Sequence, residues 1–277
     1  MILAVAGGKG GIGKTLIATS LALSNAPVQF LDCDVEEPNA HLFLEAKVKK
    51  VERVSITVPH FRKWKGEACY QGAEFCRYQA LAVVKDTMLV FPELCVSCGG
   101  CFLLCPEGVL DPVDHQVGDV KTSKGRNGIE FISGELKIGS QRTTEVIRAV
   151  KNRLDAGGNA VVDCPPGSGR PVLESLRGSD FCLLVTEPTP FGLHDVKGNK
   201  RLLDILNIPG GVVINRAGGG YDGIRRWCEE EGVPVLEEIP FDLELARAAA
   251  RGRTLPDIDP SWARRFQDLW AAIKRKI

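Results

Sequence analysis

Gly7-Gly8-Lys9-Gly10-Gly11-Ile12-Gly13-Lys14-Thr15 is the stretch that decides the fold of this 277-residue chain. It follows the apolar run Ile2 to Ala6 and precedes helical patterning over about Lys14 to Ser24, the strand-to-helix setting a phosphate-binding loop requires. Glycines let backbone N–H groups turn inward around phosphates, and the helix N-terminus adds partial positive charge. Lys14 is expected to reach the β and γ phosphates and Thr15 to ligate magnesium, with Gly8, Lys9, Gly10, Gly11, Ile12 and Gly13 forming the cradle.

Outward from this loop the chain reads as α/β. Val28 to Leu31 is a second buried strand, which begins a βαβ unit. Further strands are expected at Ala160 to Asp163, Cys182 to Thr186, Gly211 to Asn215 and Val235 to Ile239, separated by helical stretches, after a hairpin from about residue 119. That alternation predicts a doubly wound, mostly parallel sheet. Asp163 ends an apolar strand, as a Walker B segment needs to hold the magnesium shell near the loop. Residues 58–118 hold six of the ten cysteines and no helix long enough to belong to the sheet; they read as an insertion. Residues 1–57 and 119–277 then form one discontinuous domain.

Composition narrows the function. Lys plus Arg and Asp plus Glu both total 35, so no global field draws the chain to nucleic acid or anionic lipid, and neither is expected as a partner. No apolar run is long enough to span a bilayer. Met1 to Ala6 leads directly into the glycine loop without a basic signal segment, which predicts a cytosolic protein. Ten cysteines in such a compartment favour metal or cluster ligation over disulfides.

Lys9 and the Gly-Lys-Thr ending resemble the MinD/Mrp family, with its deviant Walker A signature Lys-Gly-Gly-x-Gly-Lys-Thr. The resemblance extends to Asp32-Cys33-Asp34, similar to the family's Asp-x-Asp switch, and to Pro165-Pro166-Gly167-Ser168-Gly169, similar to its second switch. It implies an ATPase fold shared with MinD and the nitrogenase iron protein, and a nucleotide-dependent dimer in which Lys9 crosses the interface. It implies that Asp34 orients the attacking water, that Asp32 lies in the magnesium second shell, and that Asn215, Arg216 and Pro240 flank adenine. Asp34 and Asn215 also fit simple strand-end turns.

Cys95-x-x-Cys98-x-x-Cys101-x-x-x-Cys105-Pro106 is a bacterial ferredoxin run, in which three thiolates hold one cubane and the fourth serves a neighbouring one. Zinc is the alternative, although its ligands usually come as two separated pairs. Cys76-Arg-Tyr-Gln-Ala-Leu81 resembles the tail of a second such run. Counting back from Cys76 by the motif's spacing gives Gly72, Cys69 and Gly66, so two of four ligand positions are lost. Crossed ligation then predicts one [4Fe-4S] cluster, on Cys76, Cys95, Cys98 and Cys101, within a small α+β ferredoxin-like insert. Cys69 and Cys105 are left as inert thiols, a redox-labile pair, or ligands of a cluster shared between chains. Cys33, Cys164, Cys182 and Cys228 read as small buried hydrophobes.

Trp262, Phe266, Leu269, Trp270, Ile273 and Ile277 share one helical face, with Arg264, Arg265, Lys274, Arg275 and Lys276 elsewhere on the wheel. MinD's own C-terminal helix binds membrane, but six apolar positions suit docking on the sheet. His41, His60, His115 and His194 show no metal spacing. The resemblance implies three activities: ATP-coupled electron transfer or redox sensing at a permanent cluster, cluster assembly and transfer to a client, or a MinD-like positioning switch. Its partners would be a second copy or a ferredoxin-inserted paralogue, with a redox or iron-sulfur client.

Overall fold

Leu3, Ala4, Val5 and Ala6 are all fully buried, so the strand they form runs through the middle of a sheet covered on both faces. The computed structural model describes every residue except Ala156, Gly219 and Lys276, and of Ala68 the backbone only. Lys276, one of the cations on the predicted wheel, therefore lies outside the described residues. In chain order the strands are β1 (Ile2–Ala6), β2 (Gln29–Asp32), β3 (Lys47–Phe61), β4 (Leu81–Val84), β5 (Thr87–Val90) and β6 (Leu110–Lys124). They continue with β7 (Glu130–Leu136), β8 (Ala160–Asp163), β9 (Phe181–Thr186), β10 (Gly210–Ala217) and β11 (Val235–Pro240).

The main sheet has the order β11-β10-β9-β1-β8-β2-β7-β6-β3. From β11 to β7 all neighbours are parallel, while β6 runs antiparallel to both β7 and β3. Strand pleating sorts the core. Leu3, Val5, Val161 and Leu183 face the helices Lys14–Ser24 and Ser261–Lys274. Ala4, Ala6, Val162 and Leu184 face the helices Thr143–Lys151, Arg170–Leu176, Pro190–Leu206 and Gly223–Glu230. Cys33, Cys164, Cys182 and Cys228 are buried on this second face.

The sequence reading located β1, β8, β9, β10 and β11 to within a residue or two and missed β3 altogether. The reason is that β3 is an edge strand. Its first half, with Lys47, Lys49, Lys50 and Arg53, faces solvent, and inward alternation begins at Val54, Ile56 and Val58. β3 and β6, fifteen residues each, pair from Lys47↔Lys124 to Phe61↔Leu110. This ribbon runs on past positions 58 and 118 and carries residues 62–109 at its far end. There the helices Ala68–Phe75 and Gly100–Leu104 and the β4–β5 hairpin enclose a small core of Cys69, Leu81, Met88, Cys105, Val109 and Leu110. Ala80 and Cys95, by contrast, pack into the main core with Ile56, Val58 and Val117.

The C-terminal helix Ser261–Lys274 docks on the helix Lys14–Ser24 through Trp262, Phe266, Leu269, Trp270 and Ile273. Ile277 does not share that face; it lies beyond the end of the helix and is 55% exposed. Among the described residues no helix is long and apolar enough to cross a membrane. Phe266 is 1% exposed, so Phe266→Ala should lower stability by about 3–5 kcal/mol in urea titrations. A docked face has no apolar stripe to offer lipid, so the wild-type chain should stay in the supernatant when anionic vesicles are sedimented.

Candidate functional site

The parallel strands end along one edge of the sheet, and the order reverses around β1, where α/β proteins open a crevice for ligands. A cavity of about 750 Å³ lies there, lined by Gly10, Gly11, Lys14, Thr15, Asp34 and Asn215 among others. Gly13 opens the helix in the left-handed region (φ 96°), and a Cβ on it would stand 2.4 Å from Asn215 Nδ2. Gly8 is pressed as closely, since a Cβ there would meet the Asp195 side chain at 2.1 Å. Gly10 and Gly11 face open space. The buried Lys14 donates Nζ to the Lys9 carbonyl at 3.3 Å, so its charge folds over the loop where phosphate oxygens would compete for it. The Lys9 side chain is exposed, and Ile12 is buried.

Three carboxylates face this loop. Asp32 and Asp163 end neighbouring strands in register, each 1% exposed. Asp32 accepts backbone N–H groups from Asp34 (3.1 Å) and Ala40 (3.2 Å), which fixes the start of the loop that follows. Neither oxygen of Asp163 has a hydrogen-bond partner, although Lys14 and Thr15 lie close enough to offset part of its burial. Burial, and then the facing Asp163 charge, hold Asp32 well above the usual carboxylate range; burial likewise raises Asp163. Asp34 is pushed up to about 6, mainly by burial, against the pull of Lys14. Two unpartnered buried oxygens beside a hydroxyl and a lysine fit a hydrated divalent cation.

Asn215 and Arg216 brace the loop from behind. Asn215 Nδ2 donates to the Ile12 carbonyl at 2.7 Å. Arg216, in the left-handed region at φ 56°, donates Nη2 to the Gly11 carbonyl at 2.9 Å and pairs through Nη1 with Glu187 at 2.7 Å. Sequence reading missed Glu187, whose only signal is its place just after the end of β9. Pro240 ends β11 on the cavity's far wall with Phe241.

A second cavity, about 140 Å³ and apolar, is lined by Cys76, Cys95, Cys98 and Cys101 together with Phe75 and Phe102. The structure thus brings Cys76 to the three cysteines of the later run. Burial, then Cys105, Cys95 and Cys98, push Cys101 up to about 11. Among the described residues no three His, Cys, Asp or Glu side chains converge tightly enough to hold a single metal ion. Cys69 and Cys105 lie in the small core, against which Cys76 and Cys101 also pack; Cys69 Sγ accepts from Lys65 N at 3.3 Å, and Cys105 Sγ lies 2.2 Å from where a Cβ on Gly72 would stand. Cys69 is fully buried and Cys105 is 8% exposed.

The family model for the CobQ/CobB/MinD/ParA nucleotide-binding domain matches residues 3–255, and the chain belongs to that family. An uncharacterized protein of Methanocaldococcus jannaschii is 32% identical over 264 residues, 92% of this chain and 91% of that one. An iron-sulfur cluster carrier protein of Pyrococcus abyssi is 25% identical over 270 residues, 90% of this chain and 77% of that one. The septum site-determining protein MinD of Pyrococcus horikoshii, solved with Mg-ADP, superposes with a TM-score of 0.58 at 16% identity, covering 97% and 93% of the two chains. The sheet is therefore that of a MinD/ParA-type P-loop protein, a nucleotide-binding class that implies ATP and magnesium as ligands.

Asp163→Asn removes a buried carboxylate whose burial Lys14 and Thr15 offset only in part. Without ligand the variant should melt higher, by about 2–4 °C for each kcal/mol relieved. Mg-ATP, which should raise the wild-type melting temperature by mass action, should raise the variant's far less. An unchanged apo melting temperature with a full Mg-ATP response would refute this role for Asp163.

Proposed function

We propose that this chain is an ATP-hydrolysing switch that couples its nucleotide state to one [4Fe-4S] cluster, for electron transfer or redox sensing. The observation that carries the reading is the second cavity, where four thiols from separate parts of residues 76–101 line one apolar space near the nucleotide-binding domain. Cys76, Cys95, Cys98 and Cys101 would hold the cluster. A cubane sets each thiolate on a different iron, so its donors stand wider apart than donors around one ion, and this donor set suits it. The cluster, when bound, supplies a one-electron couple.

The nucleotide site works through the chain's own groups. Loop N–H groups and Lys14 bind the phosphates, Thr15 and Asp163 hold magnesium, and Asp32 fixes the adjoining loop. Asp34, raised toward neutrality, orients the attacking water. Lys9, exposed at the rim, is free to reach a partner's nucleotide in a dimer, either of two copies or with a paralogue. Asn215, Arg216 and Pro240 flank the base. Residues 58–118 act as a ferredoxin-like insert, and the chain works in the cytoplasm.

A cluster carrier is the second reading, favoured by the iron-sulfur cluster carrier protein of Pyrococcus abyssi and by the exposure of Cys98. Anaerobic iron and sulfide analysis with EPR separates the two. Roughly four irons and four sulfides per chain are expected, retained when Mg-ATP and an apo-ferredoxin are added. Loss of the iron to the apo-ferredoxin would establish the carrier reading; about one zinc and no iron would sink both. Cys98→Ser should reduce bound iron while leaving Mg-ATP binding intact.

A further inference from the structure

Three hydrogen bonds from two adjacent residues lie between the nucleotide cavity and the cysteine loop. Thr143, buried at the start of the helix Thr143–Lys151, donates Oγ1 to Glu36 Oε1 at 3.2 Å. Glu36 lines the nucleotide cavity with Asp34 and Glu37. Arg142, the residue before Thr143, donates Nη2 to the Cys95 carbonyl at 2.5 Å and to the Glu93 carbonyl at 3.3 Å. Cys95 lines the thiol cavity. Three side chains, those of Glu36, Thr143 and Arg142, and the peptide bond between Arg142 and Thr143 therefore join the nucleotide cavity to the backbone of Cys95.

We propose that Arg142 and Thr143 are positioning residues that relay the state of the nucleotide cavity to the Cys95–Cys98 loop. The proposal rests on the reading of the two cavities given above. Asp34, Glu36 and Glu37 make the loop after β2 rich in negative charge, and entry of magnesium and a triphosphate changes the field over all three. Segments of this kind reorder with the γ-phosphate in P-loop switches. Glu36 is held where it is by the Thr143 hydroxyl and by the positive end of the helix. When Glu36 shifts, the first turn of the helix shifts with it, and the adjoining guanidinium pulls on the carbonyls of Glu93 and Cys95.

The receiving loop is built to register that pull. Ser97, at φ 56°, donates Oγ to the Thr57 carbonyl at 2.7 Å, which anchors the loop's far side to β3. Its N–H points at Cys95 Sγ, 3.4 Å away. With Ser97 fixed and Cys95 drawn by Arg142, the length of that N–H···S contact becomes the variable. Hydrogen bonds to the sulfurs are among the factors that set a cluster's potential. A separate link, from Leu136 N to the Val35 carbonyl at 2.7 Å, ties the same switch loop to β7 and does not involve Arg142 or Thr143.

Hydrogen exchange of the full iron-loaded chain, with and without Mg-ATP, tests the relay, because exchange reads loop opening without depending on turnover. In the wild type, Mg-ATP should change exchange at residues 7–15 and at residues 93–98. Thr143→Val, which keeps the shape and removes the hydroxyl, should retain the first change and lose the second; Thr143→Ser should retain both. The midpoint potential, at equal iron content, should follow the same pattern, moving with Mg-ATP in the wild type and Thr143→Ser only. Arg142→Met, scored the same way, stands in if Thr143→Val is unstable. A Thr143→Val chain whose residues 93–98 still respond would overturn the relay and point to the Val35–Leu136 link. No response at residues 7–15 in the wild type, or no iron, would overturn the underlying function and the relay with it.

Discussion

Asp32 and Asp163 stand side by side at the ends of adjacent parallel strands, both buried, and only one of them is satisfied by the protein. Hydrophobic burial of β2 and β8 puts them there, because a parallel sheet delivers all its strand ends to one edge. Burying like charges in low dielectric is costly unless something positive shares the space. Lys14, the helix N-terminus after Gly13 and the cavity that Thr15 lines are arranged around that deficit. The loop beginning at Cys33 hangs from the Asp32 carboxylate, so whatever balances the shared charge bears on that loop as well.

How much of this was legible in the sequence follows from how local each signal is. The phosphate loop and the helix Lys14–Ser24 were readable because glycine spacing and helical periodicity are written in consecutive residues. Cys76 could be set beside Cys95, Cys98 and Cys101 because the counting used a fixed residue spacing, and the four line one cavity. The β3–β6 ribbon was hidden, since each strand gains its regularity from a partner far along the chain and half of β3 looks like a solvated lysine-rich loop. Arg142 and Glu187 were invisible for a related reason. Their roles consist of reaching backbone carbonyls or side chains that only tertiary structure brings near, and no residue spacing records that.

The cysteine-bearing region is coupled to the sheet more closely than an appended module would be. Its own core is small, and Ala80 and Cys95 are buried in the main core alongside Ile56, Val58 and Val117. The thiol cavity straddles that seam, with Thr57 and Pro59 of β3 forming part of its wall. Rigid packing on one side and a guanidinium on the other leave the loop few independent motions.

The sulfur beside Gly72 bears on how easily this chain could gain a further group of thiols. A new thiol at position 72 would have to evict Cys105 Sγ from the space it already fills. Gly66 has open room but sits at φ 76°, where any side chain carries a backbone penalty of about 1–2 kcal/mol. Two substitutions and a rotamer change therefore separate the present packing from a second complete set of four thiols, and neither substitution is rewarded without the other. The chain is held in its present form by mutational distance as well as by the residues it lacks.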